Sequence, residues 1–557
     1  MSSSRRDFLI KSALLSGSGI FAGKTFGHEP LTRGLREVLK HRDRVSRSYS
    51  PLVELKEFTG TTEISGDTPD EAHEIFWNKL GFIQRKGGLP KASENYDVVI
   101  VGGGLSAISS AYHLQNKKVL LLEGHLRLGG NARVEKYKDT YMSLGSAYVT
   151  QPEEGGIIDN FYKEIGVHSK FKKVPQGVHP IIYQGEFMDS FWHGVTDPDS
   201  RDQFQLVYKK LKEVYEYSYP ELPLIPGLEI DRPSLDSLDR LTLKEWVEQE
   251  FGSIHPHIEE YFHQYCWSSF STGYDEISAA QFLNFFTSDL AGTQALPGGN
   301  GMIAVAALQK MKNAKLTIRS NSFVVDVREE GKGTYICYHE NNKVLKAITA
   351  KKVIFTGPKL VAKHIIEELP NKQFEAMDNM VYHAYLVANV LFKNHLDPKF
   401  YDVYSLIGKA PISEYEGSKE RVFSDITYAH WANANEAQRS AVTLYLPLPY
   451  AMAQQFLFSP QLLEKYTARI QKSLDPFLRK SGKTWDDVEG IRLTRYGHSV
   501  AVAQANAIAS KKLETAHAAI SDKIFFANQD NWANPCFETS FAVGTVAAYQ
   551  ALGRDFK

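Results

Sequence analysis

Residues 96–133 read YDVVIVGGGLSAISSAYHLQNKKVLLLEGHLRLGGNAR, and this stretch decides the fold. Val98–Val101 is a short apolar run of the kind a buried parallel strand shows. It runs into Gly102-Gly103-Gly104, after which Leu105, Ile108 and Tyr112 recur at helical spacing. A second apolar run, Val119–Leu122, ends at Glu123. The order strand, glycine turn, helix, strand is one βαβ unit. Its fingerprint is G-x-G-x-x-A, with Gly102, Gly104 and Ala107 in the three places. Gly102 makes the tight turn, Gly104 lets the backbone approach a pyrophosphate, and Ala107 keeps the helix close to the strand. The helix start at Leu105 and Ser106 offers free N–H groups and a partial positive charge to phosphates. Glu123, followed by Gly124, stands where a carboxylate takes the ribose hydroxyls of an adenosine. A glycine-rich turn without a ligand is the alternative, but it needs neither the strand, the helix nor the acid in register.

Seven residues after Glu123 comes Gly130, in Arg127-Leu128-Gly129-Gly130-Asn131-Ala132-Arg133. A simple NAD domain has no use for a second glycine pair there. The stretch resembles the R-x-G-G-R of the flavin-containing amine oxidase superfamily. That resemblance implies FAD, with Gly129, Gly130 and Asn131 along the pyrophosphate and ribityl chain. Asn131 replaces the last arginine of the pattern, and Arg133 is the nearest substitute.

The N-terminus, Ser4-Arg5-Arg6-Asp7-Phe8-Leu9-Ile10-Lys11, resembles a twin-arginine export signal. The mildly apolar Ser12 to Gly23 that follows is too short to span a membrane. The expectation is periplasmic localisation through the twin-arginine machinery, with an uncleaved N-terminal anchor as the alternative. That route carries folded proteins, which suits a cofactor loaded before export. The 557 residues exceed one ordinary core, so two domains are expected. The 64 basic residues balance 65 acidic ones without a basic block, which argues against nucleic acid. Cys266, Cys337 and Cys536 are far apart, so neither a zinc site nor a disulfide framework is implied.

Further stretches carry the resemblance. Phe58 to His73 is similar to the leader of bacterial spermidine dehydrogenases, where His73 reads as a functional residue or a packing residue. The turn Met142 to Tyr148, with Gly145 and Ser146, would pass close to a flavin ring, as glycine permits. Tyr265 to Phe270 and Ile277-Ser278-Ala279 also resemble the family. Tyr215-Glu216-Tyr217 offers either a cation site or a solvated helix face. Leu316 to Val327 reads as strand, and the resemblance assigns Val324 to the adenine. Lys352 to Pro358 resembles the strand under the flavin, and Lys363 or His364 is near a lysine that many relatives place by flavin N5. A surface lysine is the alternative. Arg495-Tyr496-Gly497-His498 is similar to an R-W-G-H stretch, which makes His498 a candidate base.

Phe526-Ala527-Asn528-Gln529-Asp530 resembles F-A-G-[ED], implying that Asp530 binds a ribityl hydroxyl. Phe537, Glu538 and Thr539 would open a last helix whose N-terminus faces the flavin and stabilises negative charge there. Relatives place an aromatic-cage tyrosine just before this helix. The count puts Cys536 in that place, with Phe537 as the possible ring.

The expected architecture is α/β. After a signal (1–28) and an N-terminal extension (29–94), a split Rossmann-type FAD domain (95–150, 296–360, 485–557) carries an inserted α+β substrate domain (151–295, 361–484). The resemblance implies an FAD-dependent oxidoreductase, oxidising an amine, such as a polyamine, by hydride transfer to flavin N5. Its partners would be a small-molecule amine and an unidentified electron acceptor. Desaturation of an apolar polyene and flavin binding without turnover are the other readings.

Overall fold

The computed structural model describes residues 49–55, 62–67, 70–311, 315–411, 422–449 and 460–556. Its centre is built from β1 (Ala92–Val101), α1 (Leu105–His113), β2 (Val119–Leu122), β3 (Leu316–Arg319), β4 (Val344–Phe355), β5 (Ile524–Phe526) and α2 (Phe537–Ala551). The strands lie in the order β3-β2-β1-β4-β5, and every neighbouring pair is parallel. This is the open, doubly wound α/β arrangement expected from the fingerprint. Val99, Ile100, Leu120 and Leu121 are fully buried, as strands covered on both faces must be.

Two expectations change in detail. The stretch read as one strand over 316–327 is two, at opposite ends of the sheet. The chain turns at Asn321, whose φ is +51°, and Ser322–Glu330 opens an antiparallel meander with Gly333–Glu340 and β4. Conversely, the strand read at Lys352 to Pro358 is the end of one long strand, which runs unbroken from Val344 and stops at Phe355. Polar residues can decorate a ladder whose hydrogen bonds come from the backbone.

α1 and α2 cross in direct contact. A Cβ on Gly544 would stand 2.4 Å from Ser106 O, so only glycine allows this approach. Ser109 Oγ donates to Phe541 O and Ser110 Oγ to Gly544 O, each at 2.8 Å, which locks the pair. The C-terminal helix therefore completes the fingerprint helix from across the sequence.

An eight-stranded sheet forms the second layer. It runs Glu186–Met188, Ile181–Tyr183, Asp402–Leu406, Asp425–Tyr428, Ser440–Leu448, Tyr382–Phe392, Val488–Ala501, Thr62–Gly66. One face carries Leu386, Ala388, Ile426 and Leu444 into a core shared with Ile470 and Leu474 of helix Pro460–Lys480. Side chains alternate along a strand, so the other face is fixed by register. Tyr404 lies opposite Asp425, and Val387 opposite Tyr445. Helix Pro256–Phe270 packs on strands Asp402–Leu406 and Ser440–Leu448, and Arg201–Tyr217 and Leu243–Phe251 pack on helix Ala279–Ala291.

The region before β1 contributes strands to two sheets, a small three-stranded one and the eight-stranded one. Leu52–Leu55 pairs with Val134–Tyr137, and Thr62–Gly66 extends the eight-stranded sheet. The Arg5-Arg6 pair and part of the leader at 56–61 and 68–69 lie outside the described residues. Tyr215 and Tyr217 are 41% and 81% exposed on the outside of their helix, so that cluster is a solvated face. The three cysteines are free thiols. Among the described residues no helix is long and apolar enough to cross a membrane.

Candidate active site

One cavity of about 1230 Å³ joins the two layers. Pockets for drug-sized ligands run to roughly 1,000 Å³, so this one has room for a dinucleotide and a second molecule. Both glycine loops line it, and they stack on each other. Gly129 N–H donates to Gly103 O at 2.7 Å, and a Cβ on Gly104 would meet only Gly130 Cα, at 3.9 Å. The backbone over Gly104 is thus bare toward the cavity, as a pyrophosphate requires. Gly102 holds φ at +111°, and its own Cβ would strike Thr356 Oγ1 at 2.4 Å. Glu123 closes β2, and its carboxylate accepts from His125 N–H at 2.7 Å. Gly124 and Val324 line the same end.

At the other end the turn at Gly145 and Ser146 presses on the second glycine loop. A Cβ on Gly145 would lie 2.2 Å from Asn131 O, and Ser146 N–H donates to that oxygen at 3.1 Å. The α2 N-terminus faces this end. Cys536 caps it, accepting from Thr539 N–H at 3.3 Å, and Glu538 accepts from Thr150 N–H and Oγ1 at 2.8 and 2.7 Å.

Beyond this cradle the wall is acidic and aromatic. Asp289, on helix Ala279–Ala291, accepts from Tyr265 OH at 2.6 Å and Tyr148 OH at 2.7 Å through one oxygen. Burial pushes its pKa up to about 7 against the pull of those hydroxyls. Asp402 and Asp425 sit on adjacent strands of the eight-stranded sheet. Burial raises both carboxyls, and the neighbouring Asp425 charge raises Asp402 further, so the pair holds on to a proton near neutrality. Tyr385, Tyr404 and Tyr445 surround the pair. Tyr445 OH donates to Gly145 O at 2.9 Å, which ties this wall to the cradle. Among the described residues no lysine, arginine or histidine forms an ion pair with any of the three aspartates.

The model of the flavin containing amine oxidoreductase family matches residues 105–487. The chain belongs to this family. It is 23% identical to Oxidoreductase PigB of Serratia sp. (strain ATCC 39006) over 514 residues, 82% of this chain and 75% of that protein. It is 26% identical over 194 residues to the probable flavin-containing monoamine oxidase A of Dictyostelium discoideum, covering 34% of this chain and 40% of that one. A redesigned putrescine oxidase shares the fold with a TM-score of 0.62 at 16% identity, over 83% of this chain and 100% of the other. Cyclohexylamine oxidase from Brevibacterium oxydans IH-35A gives 0.59 at 15%, over 82% and 99%. The protein is an FAD-dependent oxidoreductase, and the bare glycine loops, Glu123 and the α2 N-terminus suit that cofactor.

The residues nominated within this family frame fare differently. The Asp530 carboxylate is 2% exposed and bound by the fully buried Lys359 ammonium. It also accepts from Tyr382 OH and Lys359 N–H, each at 2.7 Å. Asp530 borders the cavity, where its carboxylate is held by Lys359 and Tyr382. Gln529, its neighbour, also lines the cavity, and an uncharged residue in that place carries no signal in the sequence. The Phe537 ring packs with Tyr162 and Phe541 in the core behind α2. Cys536 and Phe537 both border the cavity. Burial raises the Cys536 thiol, which stays protonated.

Lys363 lines the cavity but is paired with Asp378 at 2.7 Å, its side chain only 11% exposed. It is not a surface lysine. His364 stacks on Phe76 at 5.1 Å. Arg133 braces Gly130 O from behind at 3.0 Å. His498 lines the cavity, 6.3 Å from His73 between ring centres. Burial lowers its pKa, with the charges of His73 and Lys363 acting the same way, so it is neutral near pH 7. The three aspartates escaped sequence reading, because they come from segments 136 residues apart and match no motif.

Proposed function

We propose that the protein oxidises an amine that arrives as a cation, as the spermidine dehydrogenase-like motifs suggest. The observation that carries this reading is the wall beside the dinucleotide cradle, where the buried Asp425, the half-buried Asp289 and Asp402 and several tyrosine rings meet and, among the described residues, no cation pairs with the carboxyls. Such a wall attracts an ammonium by charge and by ring faces. An apolar polyene would gain nothing from it and would strand the carboxyls in a dry site. FAD, when bound, supplies the acceptor for the hydride that leaves the carbon next to nitrogen.

The protein's own part is positioning and proton handling. An ammonium has no free lone pair to assist hydride loss, so its proton must go first. His498, neutral and on the cavity wall, is suited to receive it. The α2 N-terminus holds positive potential where electron density increases. Tyr148, Tyr385 and Tyr445 shield the reacting carbon from bulk water. We further propose export through the twin-arginine route to the periplasm, on the strength of Arg5, Arg6 and Lys11.

The test is anaerobic stopped-flow bleaching of the flavin with spermidine, putrescine, simple monoamines and a solubilised polyene. Amines should bleach it, faster as pH rises through the pKa of His498 or the bound substrate. Bleaching by the polyene alone would end the amine reading.

A further inference from the structure

The chain ahead of the family match, which begins at residue 105, also reaches the cofactor cradle. Residues 49–51 lie against the second glycine loop. Leu128 N–H donates to Tyr49 O at 3.0 Å, and Val134 N–H donates to Pro51 O at 3.1 Å, so both ends of the loop are held by this one segment. Between them the buried Pro51 sits so close that a Cβ on Gly129 would stand 3.2 Å from Pro51 Cβ. Leu52–Leu55 then runs parallel to Val134–Tyr137, and Leu52 is buried in one core with Ile108 of α1 and Phe541 of α2.

The loop needs such a hold. Gly129 and Gly130 take φ of +109° and +55°, and Gly130 lies against Gly104, where a pyrophosphate has to reach bare backbone. Two adjacent glycines have no side chains to fix this shape, and glycine loses more conformational freedom on ordering than any other residue. Gly103 O, Ser146 N–H and Arg133 hold the loop from within the cradle, while Tyr49 O and Pro51 O hold its ends from outside. The outer hold is light. Leu52–Leu55 is a four-residue strand at the edge of a three-stranded sheet, with Val134–Tyr137 as its neighbour. A short edge strand opens locally at low cost unless something else secures it.

We infer that Tyr49–Leu55 is a strap coupled to the cofactor: it shapes the second glycine loop for FAD, and bound FAD in turn holds it closed. Coupling between two sites is reciprocal, so each half of this statement requires the other. It needs the cofactor alone and stands apart from the amine reading. The segment that follows the Arg5–Arg6 pair is then tighter in loaded than in empty protein, which suits the export proposed above.

The experiment measures both directions on the full chain. FAD release from holoenzyme is followed by the fluorescence of the freed flavin. Leu52→Ser should speed release about tenfold, an ordinary size for coupling between sites. Leu52→Ala takes its place if that variant does not fold. Leu474→Ala, in the core behind the eight-stranded sheet, is the control, with urea unfolding to match the stability lost. Hydrogen exchange is then compared with and without FAD. Removing FAD should speed exchange of the Leu128 and Val134 amides about tenfold, and of Tyr382–Phe392 far less. Release no faster than in a control of equal stability would overturn the inference. So would exchange that rises equally in the strap contacts and in Tyr382–Phe392, since that marks general loosening. Faster release together with exchange confined to the strap contacts is the result expected.

Discussion

Asp289→Asn tests the wall through stability, independently of turnover. An aspartate's ordinary pKa is 3.8, and burial pushes this one to about 7. The folded state therefore holds the proton over a pH range in which the unfolded state has lost it. Stability falls as pH rises from 3.8 toward 7, then levels off. At about 1.4 kcal/mol per pH unit, the ionised carboxylate costs the substrate-free protein about 4 kcal/mol at pH 8 and less than half that at pH 5. Asparagine removes this cost and can still accept from Tyr148 and Tyr265. Its amide nitrogen would sit where Oδ1 has no partner, a penalty of about 1–2 kcal/mol at any pH. The variant should then be about 2–3 kcal/mol more stable than wild type at pH 8 and near parity at pH 5. Equilibrium urea unfolding of substrate-free holoenzyme at both pH values measures the difference. The titratable groups that act on Asp289, or on which it acts, are Tyr148, Tyr261, Tyr265, Tyr401, Asp402 and Glu538, and none of these is a cation. A stability difference that is the same at pH 5 and pH 8 would show that this carboxyl is not a buried, proton-retaining acid.

Other outcomes follow from the same geometry. Gly104→Val should fold normally, since only Gly130 Cα is near, yet purify without FAD; a fully loaded variant would refute the pyrophosphate assignment. Lys359→Met strands the Asp530 carboxylate in the core and should cost about 3–5 kcal/mol by urea unfolding, largely recovered in Lys359→Met/Asp530→Asn. Gly544→Val should separate α1 from α2 and lower both thermal stability and FAD content, measured by melting and by released flavin. Replacing Arg5 and Arg6 by lysine keeps charge but loses the guanidinium pair, so flavin-loaded precursor should stay in the cytoplasm; unchanged periplasmic yield would count against the export proposal.

The βαβ unit was legible because its signals are local. An apolar run, three spaced residues and a terminal acid lie within Val98 to Glu123, and backbone sterics tie each to its place. The α/β class and the cofactor followed from that stretch and the second glycine pair. Local reading weakened where a side chain's role depends on direction. Asp530 and Phe537 both border the cavity, but the carboxylate is held by Lys359 and the ring packs on Tyr162 and Phe541. Neither partner is signalled by spacing.

The substrate wall belongs wholly to tertiary structure. Asp289 comes from a helix, and Asp402 and Asp425 come from two strands of another layer. Each alone reads as an ordinary polar residue near an aromatic. Strand register puts Tyr404 opposite Asp425, and helix packing brings Asp289 to face them. Only then is solvent withdrawn, fully from Asp425 and in part from Asp289 and Asp402, which raises their proton affinity. The sequence by itself determined that this chain builds a dinucleotide turn, because that geometry is written in neighbouring residues. The charge character of its pocket was decided by the fold, because desolvation depends on what surrounds a carboxyl rather than on what precedes it in the chain.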